Sequence, residues 1–154
     1  MTYEDFVKEN LGKGLLKVQK TDVKATEQLM ARARKDLRAA RAILDIDEGI
    51  AYTTAYMAML RAGRALMLAK GLRPADGYQH KTVVEFVAHV LGGSVKNLAD
   101  RFDKMRRKQN VFSYDVDVSI SPTEARNAIV TAEKFVGAMV ELIGTESPQG
   151  KLKL

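Results

Sequence analysis

Apolar residues recur every three or four positions over most of the chain, which is the spacing of one face of an α-helix. The predicted helices are, in chain order, a short one from Tyr3 to Asn10, two long ones over 22–44 and 47–70, a shorter one opened by His80, one capped by Ser94, and a last one from Ser121 to about Ile143. We therefore expect an all-α fold, an antiparallel bundle of four to five helices.

Two of these patterns are specific enough to predict packing. In the helix over 22–44, one apolar stripe contains Leu29, Ala33, Leu37, Ala40 and Leu44. In the helix over 47–70, an unbroken seam of small side chains contains Ala51, Ala55, Ala58, Ala62, Ala65 and Ala69. Because larger apolar residues flank this seam, the second long helix is apolar over a wide arc. We expect it to be the central helix of the bundle.

Local signals mark several ends of these elements. Asp22 is a suitable N-terminal cap, and Gly71 is suited to a left-handed C-terminal cap, followed by an extended turn at Arg73 and Pro74. The segment Ser121–Glu124 combines a capping box with proline at the first helical position. In contrast, Val116, Val118 and Ile120 alternate with polar residues, which predicts a short extended stretch.

Length and composition indicate one globular domain. The 154 residues are 46% hydrophobic and 29% charged, and there is no cysteine, which fits a reducing cytoplasm. The longest apolar runs are too short or too charged to cross a bilayer, and the N-terminus lacks the apolar core of a signal peptide. We divide the chain into an N-terminal extension (1–20), in which Leu15, Leu16 and Val18 pack onto the body, the helical bundle (21–144), and a disordered tail (145–154).

The net charge is +6, and its placement is more informative than its sum. Four cations, Lys104, Arg106, Arg107 and Lys108, precede Gln109, Asn110 and Tyr114, at what we expect to be the end of a helix. Two interpretations stay open: the cations interact with the helix dipole, or they form a phosphate-binding site. A stripe of arginines at 34, 38 and 41 is likewise either a solvated face or a surface for a polyanion.

Other chemistry finds little support in the sequence. The Gly12–Gly14 segment lacks the spacing of a phosphate-binding loop, and no Ser/His/Asp constellation is present. His80 and His89 are nine residues apart, which places them on opposite faces of one helix. We therefore expect no metal or cofactor, and we assign both histidines structural or turn roles, with His80 the better functional candidate because it lies near a helix end.

The chain resembles the HEPN family, small helical proteins of bacteria and archaea. Three segments carry the resemblance, followed by the helix from Ser121: AYTTAYMAMLRAGRALMLAKGLRP, similar to the central helix and its basic turn; QHKTVVEFV, similar to the next helix; and DKMRRKQNVFSYD, similar to the arginine–asparagine segment. The order and spacing of these segments are more specific than any one of them, and the resemblance covers about Ala25 to Ile143.

The resemblance implies an activity and partners. Many HEPN proteins are metal-independent endoribonucleases, often toxins, with an arginine four to six residues before a histidine at a homodimer interface. In one subgroup a tyrosine two residues after the histidine is adenylylated by a partner nucleotidyltransferase antitoxin. Arg107, Phe112 and Tyr114 reproduce that spacing, with phenylalanine in place of histidine. In a second register, Gln109 and Asn110 replace the arginine–asparagine pair, and Tyr114 occupies the histidine position.

Both registers lack the histidine, and tyrosine, with an ordinary pKa of about 10, is a poor base at neutral pH. We therefore expect a protein that binds RNA or a nucleotide, in a toxin–antitoxin or defence setting, with weak or absent cleavage. Arg107, Asn110 and Tyr114 are the predicted catalytic set, and Lys104, Arg106 and Lys108 the predicted phosphate contacts. Two alternatives remain: an active metal-independent endoribonuclease in which Arg107 stabilises the phosphorane, and a non-catalytic partner module for a nucleotidyltransferase.

Overall fold

The computed structural model describes residues 1–75, 79–91, 96–146 and 154. Its helices are α1 (Tyr3–Gly12), α2 (Val23–Ile43), α3 (Glu48–Ala69), α4 (Gln79–Val90), α5 (Lys96–Tyr114) and α6 (Pro122–Glu146), and its strands are β1 (Leu16–Val18) and β2 (Leu72–Pro74). The predicted all-α helical bundle is confirmed, with one small sheet added to it.

Helices α2 and α3 form the centre of the bundle, and aspartates begin both. The Asp22 carboxylate accepts a hydrogen bond from the Ala25 amide at 3.0 Å, and the Asp47 carboxylate accepts one from the Ile50 amide at 2.9 Å. The alanine seam of α3 is fully buried from Ala51 to Ala65. Such small side chains allow neighbouring helices to approach α3 closely, and α2 and α6 both pack along it.

One buried ion pair joins the two central helices. Asp36 of α2 is buried, and its carboxylate accepts a hydrogen bond from Arg61 of α3 and pairs with Arg32 one turn away at 3.3 Å. Burial of a carboxylate is costly unless it is paired and hydrogen-bonded in this way. The pair therefore fixes the alignment of α2 on α3. The apolar pattern of the sequence alone does not reveal this contact.

The last helix begins as the sequence predicts. The Glu124 amide donates to Ser121 Oγ at 3.1 Å, and the Ser121 amide donates to Glu124 Oε1 at 3.3 Å, which completes the capping box. The helix extends to Glu146, three residues beyond the predicted end at Ile143 and into the predicted tail. The rest of that tail, apart from Leu154, lies outside the described residues, as do the predicted stop at Gly92 and Gly93 and the cap at Ser94.

The small sheet was not predicted. Strand β1 pairs antiparallel with β2, with Leu16 opposite Pro74 and Val18 opposite Leu72. Leu16 is buried, but Val18 is 75% exposed, so the expectation that Val18 packs onto the body is wrong. Gly71 has a φ of 77°, the left-handed conformation expected of a C-terminal cap, and it directs the chain from α3 into β2.

A glycine brings α4 against the central helix. A Cβ atom on Gly63 of α3 would lie 2.7 Å from Val83 Cγ1 and 3.2 Å from Val87 Cγ2. Both valines are buried on the inner face of α4. The missing side chain therefore allows α4 to pack closely on α3, and this contact fixes the position of His80 at the start of α4.

No helix in the described part of the chain is both long and apolar enough to cross a membrane.

Candidate phosphate-binding site

Helix α5 continues past the point at which we expected it to end. It reaches Tyr114, so the cations at 104–108 lie within the helix, and its last turn carries no basic residue. The alternative that these cations interact with the helix dipole at the C-terminal end of α5 is therefore wrong. The extended stretch predicted at 116–120 is also absent: these residues form a turn and irregular chain, in which Val116 is almost fully exposed.

The longer helix builds one wall of a pocket of about 330 Å³. Because α-helical neighbours three and four residues apart share a face, α5 presents several polar side chains to the same space. The lining residues are Arg106, Gln109, Asn110, Ser113 and Tyr114 of α5 and His80 of α4. The structure thus joins three of the sequence-predicted site residues, Arg106, Asn110 and Tyr114, with a histidine from another helix.

Arg106 is the cation of this pocket. Its Nε and Nη2 atoms donate to Asp103 Oδ1 at 3.1 and 3.0 Å, and its side chain is 23% exposed. This contact restricts the guanidinium to one orientation on the face of α5. An arginine held in this way presents a planar set of donors that matches the oxygens of a phosphate group.

His80 is oriented by the core of the bundle. Its Nδ1 atom lies 3.0 Å from the hydroxyl of Tyr56, a fully buried side chain of α3. Partial burial lowers the pKa of His80, and the positive charges of Arg64 and Arg106 lower it further. The imidazole is therefore neutral at pH 7, and Nε2 is the ring nitrogen that is left for a ligand.

The remaining pocket side chains differ in their availability. Gln109 Nε2 donates to Ser113 Oγ at 2.8 Å, and that hydroxyl donates to the Gln109 carbonyl at 2.9 Å. Within the described residues, the side chains of Asn110 and Tyr114 form no hydrogen bond with another protein group. The Tyr114 side chain is also 85% exposed. An amide and a phenolic hydroxyl are thus available beside the guanidinium and the imidazole.

Three other predicted site residues lie outside this pocket. Arg107 is 72% exposed and pairs through Nη2 with Asp103 Oδ2 at 2.8 Å. Lys108 Nζ lies 3.5 Å from Glu124 Oε2, on the side of α5 that faces α6. Lys104 lines a separate groove of about 450 Å³ between α5 and α6, with Arg101 and the buried Tyr52.

Phe112 occupies the position at which the first family register has histidine. It is half-buried against α3, where a Cβ atom on Gly49 would lie 2.3 Å from its Cζ atom. This position therefore packs the end of α5 onto the start of α3. The histidine of the pocket comes instead from α4, and the sequence signal for it is the segment QHKTVVEFV.

No three His, Asp or Glu side chains gather into a potential metal site within the ranges that the structure describes.

Comparisons with known proteins agree with this architecture. The model of the HEPN domain family matches residues 26–143. The crystal structure of TT1696 from Thermus thermophilus is similar in fold, with a TM-score of 0.60 over 76% of this chain and 97% of that one, at 19% sequence identity. Among curated proteins, none matches the chain at a significant level. Since the family model spans most of the bundle, the chain belongs to the HEPN domain family.

Proposed function

We propose that this HEPN protein binds RNA, or a nucleotide, through a phosphate group held in the pocket between α4 and α5. The observation that carries the proposal is that His80 lines the same pocket as Arg106 and Asn110. Each of these side chains can donate hydrogen bonds, and one carries a permanent positive charge. A phosphate oxygen accepts such bonds, and those from arginine are strengthened by charge.

Charge around the pocket supports an anionic ligand. Between residues 101 and 108, α5 carries five cations and one carboxylate, Asp103, which is shared by Arg106 and Arg107. The helix that forms one wall of the pocket therefore carries a local excess of positive charge. Binding to a polyanion at such a surface releases counterions, so RNA affinity should fall steeply as the salt concentration rises.

The test is a fluorescence anisotropy titration of a labelled RNA oligonucleotide at several salt concentrations. We compare His80→Ala with His89→Ala, a matched control on the same helix, since His89 stacks on Phe6 and does not line the pocket. We expect a weaker affinity for His80→Ala alone. Salt-independent binding, or an equal effect of both substitutions, would contradict the proposed site.

A second candidate function is metal-independent RNA cleavage by the same pocket. The observation that favours it is that Arg106 and His80 line one pocket, where the guanidinium can stabilise the charge of a pentavalent phosphate and the imidazole can donate a hydrogen bond to one of its oxygens. Incubation of end-labelled RNA with the protein in EDTA tests this candidate. Cleavage that is lost in Arg106→Ala and retained by Arg107→Ala would support it, and intact RNA would exclude it.

We also propose a homodimer, which the exposed apolar residues around one contact support. Gly49 and Phe112 join the start of α3 to the end of α5, and their chain neighbours Ile50 and Val111 are both exposed. Multi-angle light scattering of the parent and of an Ile50→Lys/Val111→Lys variant tests this state. A parent that is monomeric at all concentrations would contradict it.

Copurification of a nucleotidyltransferase with the protein would favour the alternative in which the chain is a non-catalytic partner module for that enzyme.

A further inference from the structure

The hydroxyl group of Tyr56 has a restricted choice of hydrogen-bond partners. The side chain is fully buried, and its ring packs against Phe102 at a centroid distance of 5.8 Å. Within residues 1–75, 79–91, 96–146 and 154, its hydroxyl has a single side-chain hydrogen-bond partner, Nδ1 of His80 at 3.0 Å. Burial also raises the pKa of Tyr56, so the hydroxyl keeps its proton at neutral pH.

This geometry distinguishes the two neutral forms of the imidazole. If Nδ1 carried the proton, it would donate to Tyr56, and the hydroxyl proton of the tyrosine would lose its described acceptor inside the core. A buried donor that is left without an acceptor is strongly disfavoured. If Nδ1 is unprotonated, it accepts the hydroxyl proton, and the neutral ring then carries its own proton on Nε2.

We infer that Tyr56 is a positioning residue that holds His80 as an Nε2–H donor toward the ligand. This inference rests on the proposed phosphate site and specifies what that site does. In this form Nε2 donates a hydrogen bond to a phosphate oxygen and has no lone pair with which to accept the proton of a ribose 2′-hydroxyl. The Tyr56 contact therefore makes His80 a binding group and removes it as the base for RNA cleavage.

Charged groups around the ring act in the same direction. Arg64 approaches from α3 and Arg106 from α5, and both oppose a second positive charge on the imidazole. Protonation at Nδ1 would also require the Tyr56 hydroxyl to give up its acceptor. Partial burial is the largest cause of the lowered pKa of His80, and the two arginines lower it further. The hydrogen bond with Tyr56 then selects the tautomer of the neutral ring.

Nitrogen NMR of the full chain labelled with ¹⁵N-histidine tests the tautomer. The protein contains two histidines, so the spectrum of His89→Gln identifies the signals of His80. At neutral pH we expect an unprotonated Nδ1 and a protonated Nε2 for His80. In Tyr56→Phe, which keeps the packed ring, we expect a displaced Nδ1 resonance and a measurable fraction of the other tautomer. A protonated Nδ1 in the parent, or identical spectra in both proteins, would overturn the inference.

RNA binding supplies the second readout. Tyr56→Phe should weaken RNA affinity about two- to tenfold, while Tyr52→Phe, a buried tyrosine one turn away on α3, should leave it within about twofold. Equal effects of the two substitutions would overturn the positioning role. The two proposals can fail separately, since a parent that binds no RNA refutes the phosphate site, whereas the NMR spectrum of the parent tests the tautomer without any variant.

Discussion

Arg106 and Asp103 form a hydrogen-bonded pair along one face of α5, with two guanidinium nitrogens within 3.1 Å of a single carboxylate oxygen. The second oxygen of Asp103 is paired with Arg107. One carboxylate therefore orients the arginine that lines the pocket and partly neutralises the charge available to an anion. These two effects can be separated experimentally, because asparagine keeps the accepting oxygen and removes the negative charge.

We predict that Asp103→Asn strengthens RNA binding by about threefold or more. The asparagine oxygen can still accept from Arg106, while the repulsion between the carboxylate and a bound phosphate disappears, an effect of about 1 kcal/mol or more for charges near a protein surface. Anisotropy titrations at constant low salt would measure it. Weaker binding by Asp103→Asn would show that the paired geometry depends on the full charge of the carboxylate.

We expect acidification to cost the parent more stability than a variant without His80. The pKa of His80 is lowered in the folded state, so between that pKa and about 6.5 the unfolded chain binds the proton more tightly. The contribution of the neutral imidazole is complete above pH 6.5 and is lost as the pH falls toward the folded pKa. Urea unfolding of the parent and of His80→Gln at pH 7.5 and pH 5 measures this difference, and equal losses would contradict it.

The close packing of α4 on α3 predicts opposite effects of two glycine substitutions. Gly63→Ala places a methyl group against Val83, and overpacking of this kind costs about 1–3 kcal/mol, offset by about 1 kcal/mol of helix propensity. Gly137→Ala, in α6 with no atom near its Cβ position, should instead stabilise the protein by about 0.5–1 kcal/mol. Urea denaturation would measure both. If both substitutions raised the free energy of unfolding equally, α4 would be able to move away from α3 without a loss of stability.

The buried ion pair between α2 and α3 predicts a loss of stability on removal of its cation. Arg61→Ala leaves the buried carboxylate of Asp36 with only Arg32 and should lower the free energy of unfolding by roughly 1.5–3 kcal/mol. Arg38→Ala, an exposed arginine without an ion-pair partner among the described residues, should change it by less than about 0.5 kcal/mol. If both variants unfold at the same urea concentration, the pair contributes no net stability.

The parts of the fold that follow local rules could be predicted from the sequence. Asp22 and Gly71 lie at the ends predicted for them, because caps and left-handed glycines act on neighbouring backbone atoms. The alanine seam of α3 correctly identified the central helix, since its spacing matches the helical repeat. Strands β1 and β2 were missed because three residues are too few to establish an alternating pattern.

The end of α5 shows where local reasoning fails. Asn110 favours helices only weakly, and the alternation of Val116, Val118 and Ile120 suggested an extended stretch. The helix continues to Tyr114, and the contact of Phe112 with Gly49, residues 63 positions apart, packs its end onto α3. Tertiary contacts of this kind are not visible in a window of the sequence.

The candidate site was predicted in part for the same reason. Arg106, Asn110 and Tyr114 were predicted from the cation cluster and the family resemblance, and they share one face only because α5 continues to Tyr114. The pairing of His80 with Tyr56 links residues 24 positions apart on two helices, and no local pattern reveals it. Arg107, which the family spacing favoured, lies outside the pocket, so its catalytic role remains a prediction.

The decisive comparison is therefore between two adjacent arginines in one RNA-binding titration. We expect Arg106→Ala to weaken the affinity by about tenfold to a hundredfold, the effect of losing a hydrogen bond from a charged donor, and Arg107→Ala to weaken it by no more than about threefold. Both variants lose the same charge, so the comparison isolates the pocket from general electrostatic attraction. An equal or larger loss for Arg107→Ala would contradict the assignment of the phosphate site to the pocket between α4 and α5.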